Sequence, residues 1–319
     1  MRALLLEGLN FYPTEDEMRR LRESFPSVNF TVRKRRDYDA SDIASFDIIM
    51  GFPRAEDLKQ ATSLKWLQTP SAGVDQFADT TIFSHPHVIL TKASGTYGRQ
   101  IGDHVIGFII AHNHSFLTHH ENMKQRKWQL IFPQKDLRHS TVAIIGFGDL
   151  GRQIARKSKA LDMEVLVIRK REMEGTQHIV DTFFTADNIH EAIGKADYVV
   201  LAAAGTQATH HLIDSSMITH MKQGSVLINV ARGSLVDEKA LIGALESHHL
   251  GGAYLDVTEQ EPLDPESPLW LMENVLITAH CSGLSRNSSS LVYELFTRNL
   301  TSFLTGQEMQ NVVDFSQGY

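Results

Sequence analysis

The sequence predicts an α/β protein built on parallel sheets and long enough for two domains. Three observations predict it. Short apolar runs alternate with amphipathic stretches along the chain, and a glycine-rich GxGxxG turn stands between one such run and one such stretch. The length, 319 residues, is about twice that of an ordinary single domain. Hydrophobic residues make up 42% and charged ones 22%, ordinary values for a folded globular chain. Lys plus Arg total 31 against 38 Asp plus Glu, a net charge of -7, which argues against a nucleic-acid or anionic-membrane partner. The single cysteine, Cys281, forms no intrachain disulfide, and no apolar run has the length of a membrane helix. A soluble protein of the reducing cytoplasm is expected.

In the N-terminal part the strand candidates are Ala3–Leu6, Phe46–Met50, Trp66–Thr69 and Val88–Thr91. Met1–Glu7 has too short an apolar core ahead of its acid for a secretion signal and reads as the opening strand. Helix-like stretches separate the strands. In one of them, Thr14–Phe25, Thr14 and Glu17 have the spacing of a capping box. Near residue 100 the texture changes: Ile101–Phe116 is apolar enough for a buried helix and leads into a polar, His-rich, basic stretch to Lys127. A domain boundary is expected there. From Ser140 the rhythm restarts, with strands at Thr141–Ile145, Val165–Ile168, Tyr198–Ala202, Val226–Asn229, Gly252–Asp256 and Val275–Thr278. Their near-continuous apolarity suits a parallel sheet covered on both faces. Helical stretches at Leu150–Leu161 and Lys239–Ser247 make βαβ units, and Ser285–Leu304 reads as a closing helix.

Gly146-Phe147-Gly148-Asp149-Leu150-Gly151 follows the run Val142–Ile145 and opens a helical pattern. In that context the first Gly permits a tight turn, the second lets the backbone approach a pyrophosphate, and the third lets helix and strand pack closely. Asp149 must turn its carboxylate away from the phosphates. The next strand normally ends in an acid that holds the adenosine ribose of NAD; here Val165–Ile168 leads into Arg169-Lys170-Arg171, with Glu172 only afterwards. Guanidinium groups there suit a 2′-phosphate, so NADP(H) is the preferred cofactor, with NAD(H) the alternative if the three cations form a solvated loop and Glu172 turns inward.

Downstream, three stretches each carry a chargeable residue beyond the end of a strand, at the edge where open α/β sheets bind ligands. They supply Arg232, Glu261 and His280. Reduction of a 2-keto acid needs a cation for carboxylate and carbonyl, a proton donor for the oxygen and a partner for that donor. Arg232 offers the fork, His280 the proton, and Glu261 a carboxylate that holds the imidazole protonated and oriented.

With these motifs the chain resembles the D-isomer-specific 2-hydroxyacid dehydrogenase family, which includes glyoxylate/hydroxypyruvate reductases and phosphoglycerate dehydrogenases. The likeness runs over the whole length: GxGxxG, then Ala231-Arg232-Gly233-x-Leu235-Val236-Asp237, then Leu255-Asp256-Val257 with Glu261-Pro262, then Asn274-Val275 with Thr278 and His280. The resemblance implies an acid/base role for His280, with Glu261 its partner and Arg232 binding substrate. It implies that the amides of Ala72 and Gly73, in Ser71-Ala72-Gly73-Val74-Asp75, bind the substrate carboxylate. At the cofactor it places Ala204, Thr206, Thr209, Val230, Ala231 and Asp256, with Asp256 at the nicotinamide carboxamide. It implies two Rossmann-like domains with parallel sheets, a flavodoxin-like substrate domain of residues 1–98 and 285–319 into which a cofactor domain of residues 99–284 is inserted, with a cleft that closes between them. A homodimer built around Ile101–Pro133 is implied too. Ala279 replaces a usual Pro, and Ala204-Gly205 a Pro-containing turn.

The expected activity is NADPH-dependent reduction of a small 2-keto acid, glyoxylate or hydroxypyruvate, to the D-2-hydroxy acid. The alternatives are a dehydrogenase of larger keto acids and a nucleotide-sensing corepressor of the same fold, like the C-terminal-binding proteins. Other features are read as structural. No metal is expected: His112, His114, His119 and His120 lack a completing ligand, and His112 and His119 fit a polar or interface face of one helix. Arg33-Lys34-Arg35-Arg36 reads as a solvated loop, and Cys281 as a small packed neighbour rather than a redox group. Trp128 either covers the substrate mouth, across a dimer, or packs within the chain.

Overall fold

The computed structural model describes residues 1–35, 37–169, 175–176 and 178–315. The chain divides into two compact units, one made of Met1–Tyr97 with Leu284–Tyr319 and the other of Gly98–Gly283.

In the first unit β1 (Arg2–Glu7), β2 (Asn29–Lys34), β3 (Ile48–Met50), β4 (Trp66–Gln68) and β5 (Ile89–Thr91) form a parallel sheet in the order β2-β1-β3-β4-β5. That is the flavodoxin-like order. Alternate side chains go to opposite faces: Leu4, Leu6, Ile49 and Leu67 join Ile43, Leu58 and Phe77 in one core. Trp66 turns to the other face, where its ring lies 5.3 Å from both Phe296 and Phe303 of the closing helix Ser288–Thr305. Buried completely, the indole N–H needs an acceptor and finds Thr91 Oγ1 at 2.8 Å. The helix Glu15–Ser24 begins with the expected reciprocal cap, Thr14 accepting from the Glu17 N–H while the Glu17 carboxylate accepts from the Thr14 N–H. Arg33 and Lys34, expected in a loop, are instead the last residues of β2, paired with Leu6 and Glu7. The strand went unread because it lies at the sheet edge, where long cations stay solvated. Arg36 lies outside the described residues.

In the second unit β6 (Thr141–Ile145), β7 (Glu164–Ile168), β8 (Thr182–Phe184), β9 (Tyr198–Leu201), β10 (Val226–Asn229), β11 (Gly252–Leu255) and β12 (Val275–Ile277) run parallel in the order β12-β11-β10-β9-β6-β7-β8. Both faces are covered. Ala143, Ile145, Leu166, Val199, Leu201, Leu227 and Leu255 pack under the helices Ile189–Lys195 and Glu238–Glu246. Their neighbours Val142, Ile144, Val165, Val167, Val200 and Ile228 pack under Gly98–Asn113 and Asp149–Lys159. The period of two is hidden in the sequence because both sets are apolar; each fully buried aliphatic side chain contributes about 1.5–3 kcal/mol. After β8 the chain crosses back over β6 to β9, so strand order reverses between β6 and β9.

The helix expected over Ile101–Phe116 ends at Asn113, and a second, Phe116–Lys124, follows. Ser115 between them sits at φ +52. Asn113 is buried and accepts from the Tyr198 hydroxyl at 2.5 Å, which holds the first helix end against the sheet. His112 and His119 therefore belong to different helices, and His112 lies edge-on to Tyr254. Trp128 is fully exposed and packs against nothing among the described residues, and Cys281 is exposed rather than packed. Among the described residues no helix is long and apolar enough to cross a membrane.

Candidate active site

Ligands bind open parallel sheets where the strand order reverses, beyond the C-terminal strand ends. Here that point joins the loops after β6 and β9. Gly146 sits at φ +99, and a Cβ there would lie 2.6 Å from the Ala202 carbonyl oxygen. A Cβ on Gly151 would overlap the Gly146 carbonyl oxygen, so the helix Asp149–Lys159 is seated on the strand by the missing side chain. Gly148 caps that helix without a side chain, leaving first-turn amides to meet an anion. Phe147 packs edge-on to Phe183 in the core and Leu150 packs against the same core, so these two present backbone only. The Asp149 carboxylate lies against Gly98. At the end of β7 Arg169 is half-buried, and its Nη1 is buried with no hydrogen-bond partner among the described residues. A buried guanidinium N–H without an acceptor is costly and fits a place for an anion. Lys170, Arg171 and Glu172 lie outside the described residues. Glycine loop, uncapped amides and guanidinium together fit the phosphates of a dinucleotide.

In the loop after β9, the Thr209 hydroxyl accepts from the Thr206 N–H at 2.8 Å and donates to the Ala204 carbonyl at 2.8 Å, fixing the turn. Gly205 lies against the Arg232 side chain, where a Cβ would stand 2.8 Å from Arg232 Cγ. Arg232 follows β10 beyond the buried Val230 and Ala231. The Asn229 side chain holds this turn, donating to the Arg232 carbonyl at 2.8 Å and accepting from the Ala231 N–H at 3.1 Å. Gly233 then meets the loop after β11 so closely that a Cβ would overlap the Thr258 carbonyl.

That second loop carries Glu261, whose Oε2 lies 2.8 Å from His280 Nδ1. A carboxylate only accepts, so Nδ1 carries the proton and Nε2 is the nitrogen left for chemistry. Half of the His280 side chain is exposed, 51%. Its backbone is left-handed at φ +49, a conformation that costs a non-glycine residue about 1–2 kcal/mol. Its N–H donates to the Asp256 carbonyl at 2.8 Å.

Asp256, at the end of β11, holds this loop in place. Only 2% exposed, its carboxylate accepts from Thr278 Oγ1 at 2.5 Å, from the Cys281 N–H at 2.9 Å and from the Ser282 N–H at 3.0 Å. Burial alone would raise its pKa, but the donors Ser282, Thr278 and Cys281 outweigh it and hold the carboxyl below the ordinary value. Thr278 spends its proton on Asp256 and so accepts from His104 Nε2, 3.2 Å away. Burial lowers the pKa of His104, against the pull of Asp256, so the ring is held neutral. Sequence reasoning missed this support of the His280 loop, and the pairing of His104 with Thr278 spans 174 residues without a local signal.

In the first unit, Ser71 Oγ donates to the Gly73 carbonyl at 2.5 Å and the Ser71 carbonyl accepts from the Ala93 N–H at 2.7 Å. The Ala72 and Gly73 N–H groups of this turn have no hydrogen-bond partner among the described residues.

The chain is similar to known proteins. Residues 106–282 match the family model described as D-isomer specific 2-hydroxyacid dehydrogenase, NAD binding domain. A glyoxylate reductase of Korarchaeum cryptofilum (strain OPF8) is 27% identical over 303 residues, 92% of this chain and 87% of that protein. A glycerate dehydrogenase of Methylorubrum extorquens is 28% identical over 275 residues, 82% of each chain. The solved structure of a D-isomer specific 2-hydroxyacid dehydrogenase family protein from Aeromonas salmonicida subsp. salmonicida A449 superposes with a TM-score of 0.85 at 31% identity, covering 98% of this chain and 99% of that one. A family match over more than half of the chain, on a sheet whose reversal point carries the glycine loop, leads to one conclusion: the chain belongs to the D-isomer specific 2-hydroxyacid dehydrogenases, nicotinamide-dependent oxidoreductases of 2-hydroxy acids.

Proposed function

We propose that this dehydrogenase reduces small 2-keto acids of the glyoxylate or hydroxypyruvate type to D-2-hydroxy acids, with NADPH preferred over NADH. The observation that carries the reading is the 2.8 Å pair of His280 Nδ1 and Glu261 at the ligand edge of the sheet. When bound, the reduced nicotinamide supplies a hydride to the carbonyl carbon. His280 gives the proton from Nε2 to the carbonyl oxygen, while Glu261 keeps the ring oriented through its contact with Nδ1. Arg232 offers its guanidinium to the carbonyl and carboxylate oxygens. The Ala72 and Gly73 amides are assigned to the substrate carboxylate. For the cofactor, the backbone of Gly146 to Gly151, the turn of Ala204 and Thr209, and Val230, Ala231 and Asp256 line the strand ends.

The NADPH preference rests on Arg169, whose buried Nη1, without a partner among the described residues, suits a 2′-phosphate. A homodimer is supported by exposed apolar groups on and after the helix Phe116–Lys124: Phe116, Met123, Trp128, Leu130 and Phe132 are 53–103% exposed. A cytoplasmic location rests on the lone, unpaired Cys281. Oxidation of NADPH and NADH against a panel of 2-keto acids tests the whole reading. Turnover of glyoxylate or hydroxypyruvate with NADPH supports it. Binding of NADPH without turnover of any keto acid favours a corepressor instead, and a preference for NADH overturns the cofactor assignment. His280→Gln should lower kcat by about 10²- to 10⁴-fold with cofactor affinity little changed.

A further inference from the structure

Among the described residues not used above, one group of side chains has the donors of a metal site. His210 and His211 end the turn after β9, and Glu259 lies in the loop after β11, two residues before Glu261. Their ligand atoms all lie within 4.8 Å of one another. His211 Nε2 stands 2.7 Å from Glu259 Oε1, and the two imidazoles overlap with centroids 4.0 Å apart.

Each donor is aimed by its surroundings. His211 is left-handed at φ +49, and its N–H donates to the Ser234 carbonyl at 2.8 Å, which fixes where the ring leaves the backbone. The other oxygen of Glu259 accepts from the Glu238 N–H at 3.5 Å, and the Glu259 N–H donates back to the Glu238 carboxylate at 3.3 Å, turning Oε1 towards His211. Outer partners of this kind orient metal ligands. An ion pair of His211 and Glu259 would leave His210 without a role, yet its exposed ring brings a second nitrogen into reach.

We propose that His210, His211 and Glu259 bind one divalent transition-metal ion of the zinc class. Two imidazoles and a carboxylate suit such an ion, whereas Mg²⁺ and Ca²⁺ call for oxygen donors. Donors at tetrahedral zinc stand about 3.3 Å apart, so closure needs side-chain shifts of about 1 Å, and water completes the shell. The ion ties the loop after β9 to the loop that carries Glu261.

Equilibrium dialysis of chelator-treated protein against Zn²⁺ tests the site, with thermal unfolding as a second readout. One Zn²⁺ per chain is expected, with a raised Tm and no competition from Mg²⁺. His210→Ala, which removes an exposed ring, should weaken binding by more than about tenfold, as should Glu259→Gln. If His211→Ala fails to fold, these two variants and the Co²⁺ absorption spectrum of the unaltered chain still decide. No bound Zn²⁺, equal binding of Mg²⁺, or undiminished binding in His210→Ala overturns the proposal. So does an ion held at His280 and Cys281, revealed by loss of binding in Cys281→Ser and its survival in Glu259→Gln.

Discussion

Replacing Asp256 by Asn tests how the His280 loop is held. The carboxylate serves three donors, Thr278 Oγ1, the Cys281 N–H and the Ser282 N–H, at 2.5 to 3.0 Å. A hydrogen bond to a charged acceptor contributes about 1.5–3 kcal/mol and one between neutral groups about 0.5–1.5 kcal/mol. Neutralising the acceptor therefore costs about 1 kcal/mol per donor, or about 3 kcal/mol in all. The new amide also sets an N–H against donors in either flip. Three kcal/mol is about two decades in the opening equilibrium of the loop. Hydrogen exchange of peptides spanning residues 278–282, read by mass spectrometry, should accelerate by up to about 100-fold, and kcat should fall as His280 loses its fixed position. The sign with pH follows from the depressed carboxyl. Its stabilisation is present above the unfolded carboxylate value, about 3.9, and is lost as pH falls through the lower folded value. Wild-type protein should lose this increment on acidification while Asp256→Asn has none to lose. Unchanged exchange and unchanged kcat in the variant would refute the idea that Asp256 holds the loop.

Other outcomes follow from the same geometry. Gly151→Ala should lower stability and cofactor affinity together, because its Cβ would overlap the Gly146 carbonyl; a urea titration and NADPH fluorescence read the two effects. Arg169→Gln should reduce kcat/KM for NADPH by about 10- to 100-fold, the worth of a charge-assisted hydrogen bond, and leave NADH use unaltered. His104 and His112 both have pKa values lowered by burial, so the unfolded chain takes up protons first as pH drops below about 6.5, and stability should decline there. Urea midpoints at neutral and mildly acid pH should show a shallower decline in His112→Gln than in wild type. Converting Trp128, Leu130 and Phe132 to Ser should yield a monomer in sedimentation, and a dimer that persists would move the interface elsewhere.

The fold class was legible because its signals are local. Apolar runs mark buried strands wherever a sheet is covered on both faces, and the glycines of the β6 turn announce themselves by spacing, since only the missing Cβ lets Gly151 meet the Gly146 carbonyl. Arg232, Glu261 and His280 were readable as residues just past strand ends. Less legible were β2, whose cations mask an edge strand, and the break at Ser115, where a left-handed residue divides one apolar stretch into two helices. The sequence by itself thus determined the fold class and the glycine turn after β6, and named Arg232, Glu261 and His280 as candidates. The pairing of Glu261 with His280 was already expected. Only the tertiary structure decided the other meetings: Asp256 beneath the His280 loop, His104 behind Thr278, and Glu259 beside His211. The physical reason is that parallel strands bring distant loops to one sheet edge, and neither helical nor strand periodicity encodes which side chains will face one another there.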